Sequence, residues 1–285
     1  RAKEQGRNDV KFYSPHMGTA NVDRLSLETQ LKKAVSDGDQ FVLHYQPRMS
    51  LRTGRVTAVE CLVRWLHPQR GLVSPAQFIP LCEELGLIRE LGSWVLRTAA
   101  EQAVAWRKAG LGTVQIAVNL SAQQLYASDF LDELRHALST SGLEANALEL
   151  EITESVMMQR TQQIADLLHA IRGLGVQLSV DDFGTGYSSL AYLQQFPIDF
   201  LKIDGSFVGD MVAHPDGSMV QAIVQLSHTL GLVPIAEGVE TDDQATTLAA
   251  MGCDLSQGYL LARPQPADAM FDLLVESVAG DRPAA

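Results

Sequence analysis

The chain is 285 residues long, 46% hydrophobic and 20% charged, with 22 Gly and 11 Pro; this composition excludes disorder and low complexity and suits one large α/β domain with a short addition. Its 22 Lys and Arg stand against 34 Asp and Glu, a net charge of −12, so no global field is available to hold a nucleic-acid polymer and a small anionic ligand would need local cations. No apolar run reaches the ~18 to 20 residues that span a bilayer, and the opening Arg-Ala-Lys-Glu-Gln is not a secretory leader, so a soluble, cytoplasmic chain is expected.

In chain order, residues 1–25 are polar and read as the end of a preceding unit, 26–279 as the main domain and 280–285 as a frayed tail. Short apolar runs predict strands at Phe41–Gln46, Val56–Arg64, Val114–Leu120, Ala147–Thr153, Val176–Asp182, Phe200–Asp204, Val233–Glu237 and Asp254–Gly258. Amphipathic stretches between them predict helices at Gly86–Lys108, Asp129–Ser141, Ser155–Leu174, Ser218–Leu230 and Asp242–Met251. Strands alternating with helices in this number predict a closed (β/α)8 barrel, because closure leaves no exposed edge. The first connection is the exception. Only Pro47–Arg55, with a Thr53-Gly54 turn, separates the first two strands, and a parallel crossover needs a dozen or more residues. The first strand is therefore predicted to run antiparallel to the second.

Cys61, Cys82 and Cys253 lie far apart without a Cys-x-x-Cys pair, so neither a disulfide framework nor a thiolate zinc site is indicated. The seven histidines form no H-E-x-x-H or H-x-H spacing, and neither a P-loop nor a G-x-S-x-G elbow occurs. What does stand out is acid and amide placement. Glu60, Asn119, Glu151, Glu154, Asp181, Asp182, Glu237, Glu240 and Gln257 sit where apolar strand runs stop. Carboxylates usually occupy helices and loops, so acids set in Val, Ile and Leu runs are informative, and in a barrel these strand ends converge on one face. Four or five carboxylates there would repel by roughly 4 kcal/mol per pair at 4 Å with an effective dielectric near 20. Bound cations relieve that repulsion.

Oxygen ligands without His or Cys point to Mg²⁺ or Mn²⁺ rather than zinc. Asp181 and Asp182 would point to opposite sides in regular strand geometry, but at a strand end both can turn toward one site. Two ions sharing Asp181 would suit in-line phosphoryl displacement by water. Lys202, flanked by apolar residues on a strand, is placed to hold or deprotonate the attacking water or to neutralise the phosphate. Arg64 follows Glu60 on the same strand face, which suits either a phosphate contact or an ion pair. Glu154 and Glu240 lie farther along and suit capping or supporting roles. Gly184-Thr185-Gly186 reads as a flexible loop coupled to the metal site.

Together these motifs resemble the EAL domain, the bacterial phosphodiesterase that hydrolyses cyclic di-GMP: YQP at Tyr45–Pro47, ECL at Glu60–Leu62, NLS at Asn119–Ser121 and E-x-T-E at Glu151–Glu154, then DDFGTGYSSL, LKID, AEGVET and QGY in the family's order. The resemblance implies a (β/α)8-type barrel with an antiparallel first strand and a linear 5′-pGpG product. It implies that Glu60, Asn119, Glu151, Asp181, Asp182 and Glu237 hold two Mg²⁺ or Mn²⁺ ions with Asp181 bridging, and that Lys202, Glu237, Gln257 and Glu60 take part in catalysis. Gln46, Leu62, Arg64, Asp182 and Glu240 match substrate-contacting positions. Glu154 matches the glutamate that steadies the loop Phe183–Leu190, which in the family couples the metal site to a homodimer interface.

Three positions depart from the pattern. Cys61 replaces the signature alanine and places a thiol near Glu60 that would confer oxidant sensitivity. Leu261 stands where an aromatic residue often stacks on guanine, and Arg263 where lysine is commoner. Residues 2–15, AKEQGRNDVKFYSP, resemble the closing segment of a GGDEF (diguanylate cyclase) domain, which implies a larger parent chain with upstream sensor domains, attached or not to the inner membrane. The competing readings are a receptor that binds cyclic di-GMP without turnover and an interaction scaffold with no nucleotide role.

Overall fold

A connection too short for a crossover forces a hairpin, and the first two strands form one. β1 (Phe41–Ser50) and β2 (Val56–His67) pair antiparallel with Tyr45 opposite Cys61 and Gln46 opposite Glu60. The computed structural model describes residues 15–157, 162–184, 193, 195–211 and 218–279. Beyond the hairpin come β3 (Gly71–Val73), β4 (Gln115–Asn119), β5 (Leu148–Thr153), β6 (Gln177–Phe183), β7 (Phe200–Ile203), β8 (Val233–Ala236) and β9 (Leu255–Gln257). The sheet order is β1-β9-β8-β7-β6-β5-β4-β2-β3, and the further β1–β2 pairing closes it into an eight-stranded barrel with β3 as a short antiparallel appendage on β2. From β2 through β9 the barrel strands run parallel, and β1 is antiparallel to both its neighbours.

All eight expected strands are present, with ends shifted by a few residues. The largest shift is in β1, which continues past Gln46 through Pro47 to Ser50. Helices cover the outside, among them Pro75–Glu84, Ile88–Trp106, Phe130–Ser141, Ser218–Thr229, Asp242–Ala250 and Ala267–Ala279. The stretch expected as one helix over Ser155–Leu174 is described as Glu154–Met157 and Gln162–Gly173, with 158–161 outside the described residues. The helix Pro15–Asp37 crosses the expected boundary at residue 25 without a break, and Leu31 and Ala34 are buried in the core. No described helix is long and apolar enough to cross a membrane.

Between the barrel wall and the helices, Val, Leu and Ile from both sides form one continuous core, including Ile116, Leu148, Leu150, Ile152, Leu178, Leu201, Leu134 and Leu168, all essentially inaccessible. Side chains on the alternate strand positions point into the barrel instead. A small separate cluster of Phe200, Ile235 and Leu255 lies there. Each of these precedes by two residues a polar side chain at the strand's end: Lys202, Glu237 and Gln257. Strand periodicity thus fixes the site as the uppermost inward-facing layer.

Candidate active site

Lys202 is the hub of that layer. Its side chain is 1% exposed, and its Nζ lies 2.8 Å from Glu151 Oε2, 2.8 Å from Glu237 Oε1, 3.1 Å from Asp181 Oδ1 and 3.7 Å from Glu60 Oε2. These acids come from β2, β5, β6 and the turn after β8. Glu60 is further held by Asn119 Nδ2, which donates to Oε1 at 2.8 Å, and by Gln257 Nε2, which donates to Oε2 at 2.5 Å. Gln257 Nε2 also reaches Gln46 Oε1 at 3.4 Å, and Gln46 Nε2 donates to the Ala262 carbonyl at 3.3 Å.

The two consecutive aspartates are brought together by a break in strand regularity. In the β6–β7 ladder Val180 pairs with Leu201 and Phe183 with Ile203, so Asp181 and Asp182 both oppose Lys202. Asp182 takes a left-handed backbone, φ 54°, which Asp tolerates better than most residues. Such a bulge re-aims a side chain at a strand end. As a result carboxylate oxygens of Asp181, Asp182 and Glu237 lie within 4.8 Å of one another.

Electrostatics follow from four carboxylates facing one ammonium. Burial disfavours the Lys202 charge, but Glu151, Glu237, Glu60 and Asp181 outweigh it and hold the lysine well above its ordinary range. Burial also opposes the charge on Glu60, which Lys202, Gln257 and Asn119 nevertheless keep below the usual carboxylate range. The surplus falls on the others. Burial and then Glu60 push Glu151 well above its ordinary value. Burial lifts Glu237 to about 7 although Lys202 pulls the other way, and burial with Asp181 raises Asp182. Carboxylates raised by burial and by one another mark a place where more positive charge would be bound.

A polar cleft of about 320 Å³ opens beside these groups, lined by Gln46, Glu60, Leu62, Glu237, Glu240, Gln257 and Tyr259 among others. On the other side of Leu62 and Asn119 an apolar groove of about 430 Å³ runs under the helices Pro75–Glu84 and Ile88–Trp106. Arg64 is half-buried; among the described residues it forms no ion pair, and its Nη1 donates to the Val63 carbonyl at 3.0 Å. Glu154 is buried and accepts from the Gly184 amide through Oε2 at 3.0 Å, which ties down the start of the loop after β6. Residues 185–190 of that loop lie outside the described residues, as do residues 1–14 with most of the GGDEF-like segment. Glu240 is exposed at the cleft, at the entry to the helix Asp242–Ala250.

Cys61 departs from expectation. Its side chain points away from Glu60 on β2, is 2% exposed, and burial followed by Glu60 and Glu151 pushes its thiol well above the ordinary value. Burial and a raised pKa both disfavour the thiolate that oxidants attack.

Several contributors were not singled out from the sequence. Tyr259 is 49% exposed at the cleft mouth, and the Arg263 guanidinium sits 4.1 Å above its ring centroid. Gly258 follows Gln257 where a Cβ would meet the Val239 carbonyl oxygen at 2.1 Å, so only glycine lets β9 dock against the turn after Glu237. Gly238, φ 66°, permits the sharp turn that carries Glu237. A Gly-Tyr pair directly after a strand run is the signal the sequence offers.

The chain matches the EAL domain family over residues 28–264. The chain belongs to this family. It is 44% identical over 274 residues to the cyclic di-GMP phosphodiesterase NbdA of Pseudomonas aeruginosa, covering 96% of this chain and 35% of that protein. It is 44% identical over 272 residues to the bifunctional diguanylate cyclase/cyclic di-GMP phosphodiesterase MucR of the same organism, covering 95% of this chain and 39% of MucR. This EAL chain therefore spans little more than a third of either relative. Among solved structures, the PaMucR phosphodiesterase in complex with c-di-GMP superimposes with a TM-score of 0.82 at 43% identity, over 86% of this chain and 99% of that one. The (β/α)8 barrel with its antiparallel first strand is thus the EAL fold.

Proposed function

We propose that this chain is a metal-dependent phosphodiesterase that hydrolyses cyclic di-GMP to linear 5′-pGpG. The observation that carries the reading is the excess of buried and part-buried carboxylates around Lys202 at the strand ends, beside a cleft, in an EAL domain whose relatives are named for this activity. The donor set fits two hard divalent cations, Mg²⁺ or Mn²⁺. All its ligating atoms are oxygens, and Glu151 Oε1 is buried without a protein hydrogen bond. Glu60, Asn119, Glu151, Asp181, Asp182 and Glu237 would hold them. When bound, such ions lower the pKa of a coordinated water and stabilise charge on the attacking and leaving oxygens of a phosphodiester.

The chain's own groups supply positioning and proton control. Lys202 Nζ, within 3.1 Å of Glu151, Asp181 and Glu237, is placed to hold the attacking water or a phosphate oxygen beside these carboxylates. Gln257 and Asn119 orient Glu60 from opposite sides. Arg64, without an acidic partner among the described residues, is available to a phosphate, and of its two readings the phosphate contact gains support. Leu62 forms the ridge between the polar cleft and the apolar groove, which suits a dinucleotide with two bases. Glu154 fixes the loop after β6 by holding the Gly184 amide, and that loop would carry the homodimer contact in a parent chain with upstream GGDEF and sensor domains. In the net reaction the water oxygen bonds to phosphorus, the P–O3′ bond breaks and a proton passes to the 3′ oxygen.

Incubating the chain with cyclic di-GMP and Mn²⁺ should release pGpG, and excess chelator should stop it. Tight binding of the dinucleotide with no product across Mg²⁺ and Mn²⁺ titrations would instead establish the receptor reading.

A further inference from the structure

One layer below the acids lies a second set of polar groups that the reaction as proposed does not use. Strand alternation puts Glu149 below Glu151, Ser179 below Asp181 and Phe200 below Lys202, while Arg48 enters from antiparallel β1, two residues beyond Gln46. Arg48 is 2% exposed, and Glu149 and Ser179 are fully buried. The Arg48 guanidinium lies 4.9 Å from the Phe200 ring centroid, its Nη1 donates to Glu149 Oε1 at 2.9 Å and its Nη2 to Glu149 Oε2 at 2.5 Å.

Three polar atoms here have no protein hydrogen-bond partner: Arg48 Nε, Ser179 Oγ and Glu151 Oε1. Strand register makes their residues neighbours. Ser179 is in register with Glu151 on β5 and with Phe200 on β7, and Phe200 is the ring on which Arg48 lies. Ala58 and Ala117, on the neighbouring inward positions of β2 and β4, are small and buried. Leaving a buried donor or acceptor unmade costs about 1 to 3 kcal/mol per group, and interiors commonly meet such groups with a water making about three hydrogen bonds. A guanidinium N–H, a hydroxyl and a carboxylate oxygen make up such a set: the water accepts from Nε and donates to the two oxygens. Each carboxylate oxygen has two lone pairs, so accepting from this water is compatible with facing a cation.

We propose that Arg48 and Ser179 hold an internal water beneath Glu151, and that Arg48 is thereby a positioning residue that fixes the Glu151 carboxylate from below. The positioning role rests on the metal reading above; the water itself does not. The test uses the whole chain as wild type, Ser179→Ala, Arg48→Lys and the double variant. The readouts are the thermal midpoint in chelator and the affinity for Mn²⁺ alone by calorimetry. Ser179→Ala is expected to lower the midpoint and to weaken Mn²⁺ binding about tenfold, the usual effect of disturbing a group that orients a ligand. Arg48→Lys keeps the charge but loses the Nε donor and should weaken Mn²⁺ binding similarly. The double variant should bind no more weakly than the weaker single, since one water serves both.

A midpoint unchanged or raised by Ser179→Ala, as for a hydroxyl with nothing to lose, overturns the proposal. So does wild-type Mn²⁺ affinity in that variant, or losses that multiply in the double. Should Arg48→Lys not fold, Ser179→Ala alone decides. If the wild type binds no Mn²⁺, the metal reading fails, while the midpoint in chelator still decides the water.

Discussion

Two sets of buried charges sit one above the other inside this barrel, and they are balanced differently. In the lower set Arg48 and Glu149 form a one-to-one bidentate pair, reinforced by Gln115 Nε2, which donates to Glu149 Oε2 at 3.1 Å. In the upper set Lys202 faces Glu60, Glu151, Asp181 and Glu237 at once. The lower set is electrically closed and calls for no further charge. Its upper counterpart is short of positive charge, a deficit that bound cations would relieve.

The comparison can be broken at its extremes. Lys202→Met should lower kcat for cyclic di-GMP hydrolysis by about 10² to 10³, the range seen when one donor to developing charge is lost. Steady-state assays at saturating Mn²⁺ check this; a loss below tenfold would make the lysine structural. Arg48→Met, by contrast, should cost about 3 to 5 kcal/mol of stability by stranding Glu149, while Arg48→Met with Glu149→Leu should recover most of it. Urea unfolding of both variants measures the difference, and equal losses in the two would refute a closed pair.

How far the sequence announced each set is itself instructive. The upper acids were legible because carboxylates interrupt apolar strand runs, and the antiparallel first strand followed from a connection too short to cross over. That Asp181 and Asp182 turn toward one site follows from their place at a strand end; the device that turns them, a bulge at φ 54° set by the β6–β7 register, leaves no mark in composition. Arg48 was hidden because Pro47, which lacks an N–H donor, reads as the end of a strand that in fact continues to Ser50. The three-residue β3 and the helix Pro75–Glu84 with Pro80 inside it escaped notice for the same kind of reason: short length and a residue that signals a break. The helix Ala267–Ala279, which buries Met270 and Leu274, has no counterpart among the helices expected from the sequence.

Smaller effects sharpen the picture at the site's edges. Glu154→Ala removes the acceptor for the Gly184 amide and should reduce kcat by about tenfold with little change in stability, as expected for a group that orients a ligand-bearing loop. Parallel kinetics and thermal melts separate the two. Leu261→Phe restores an aromatic face near Tyr259 and should tighten substrate binding by about 1 kcal/mol. A KM for cyclic di-GMP unchanged by that substitution would show that position 261 does not face a base.

The most direct test of the charge deficit is a calorimetric titration of Mn²⁺ into the wild-type chain and into Asp181→Asn. The account predicts two ions per chain for the wild type and loss of at least one on removing the carboxylate that both would share. Wild-type stoichiometry and affinity in Asp181→Asn, or no binding to either protein, would contradict it.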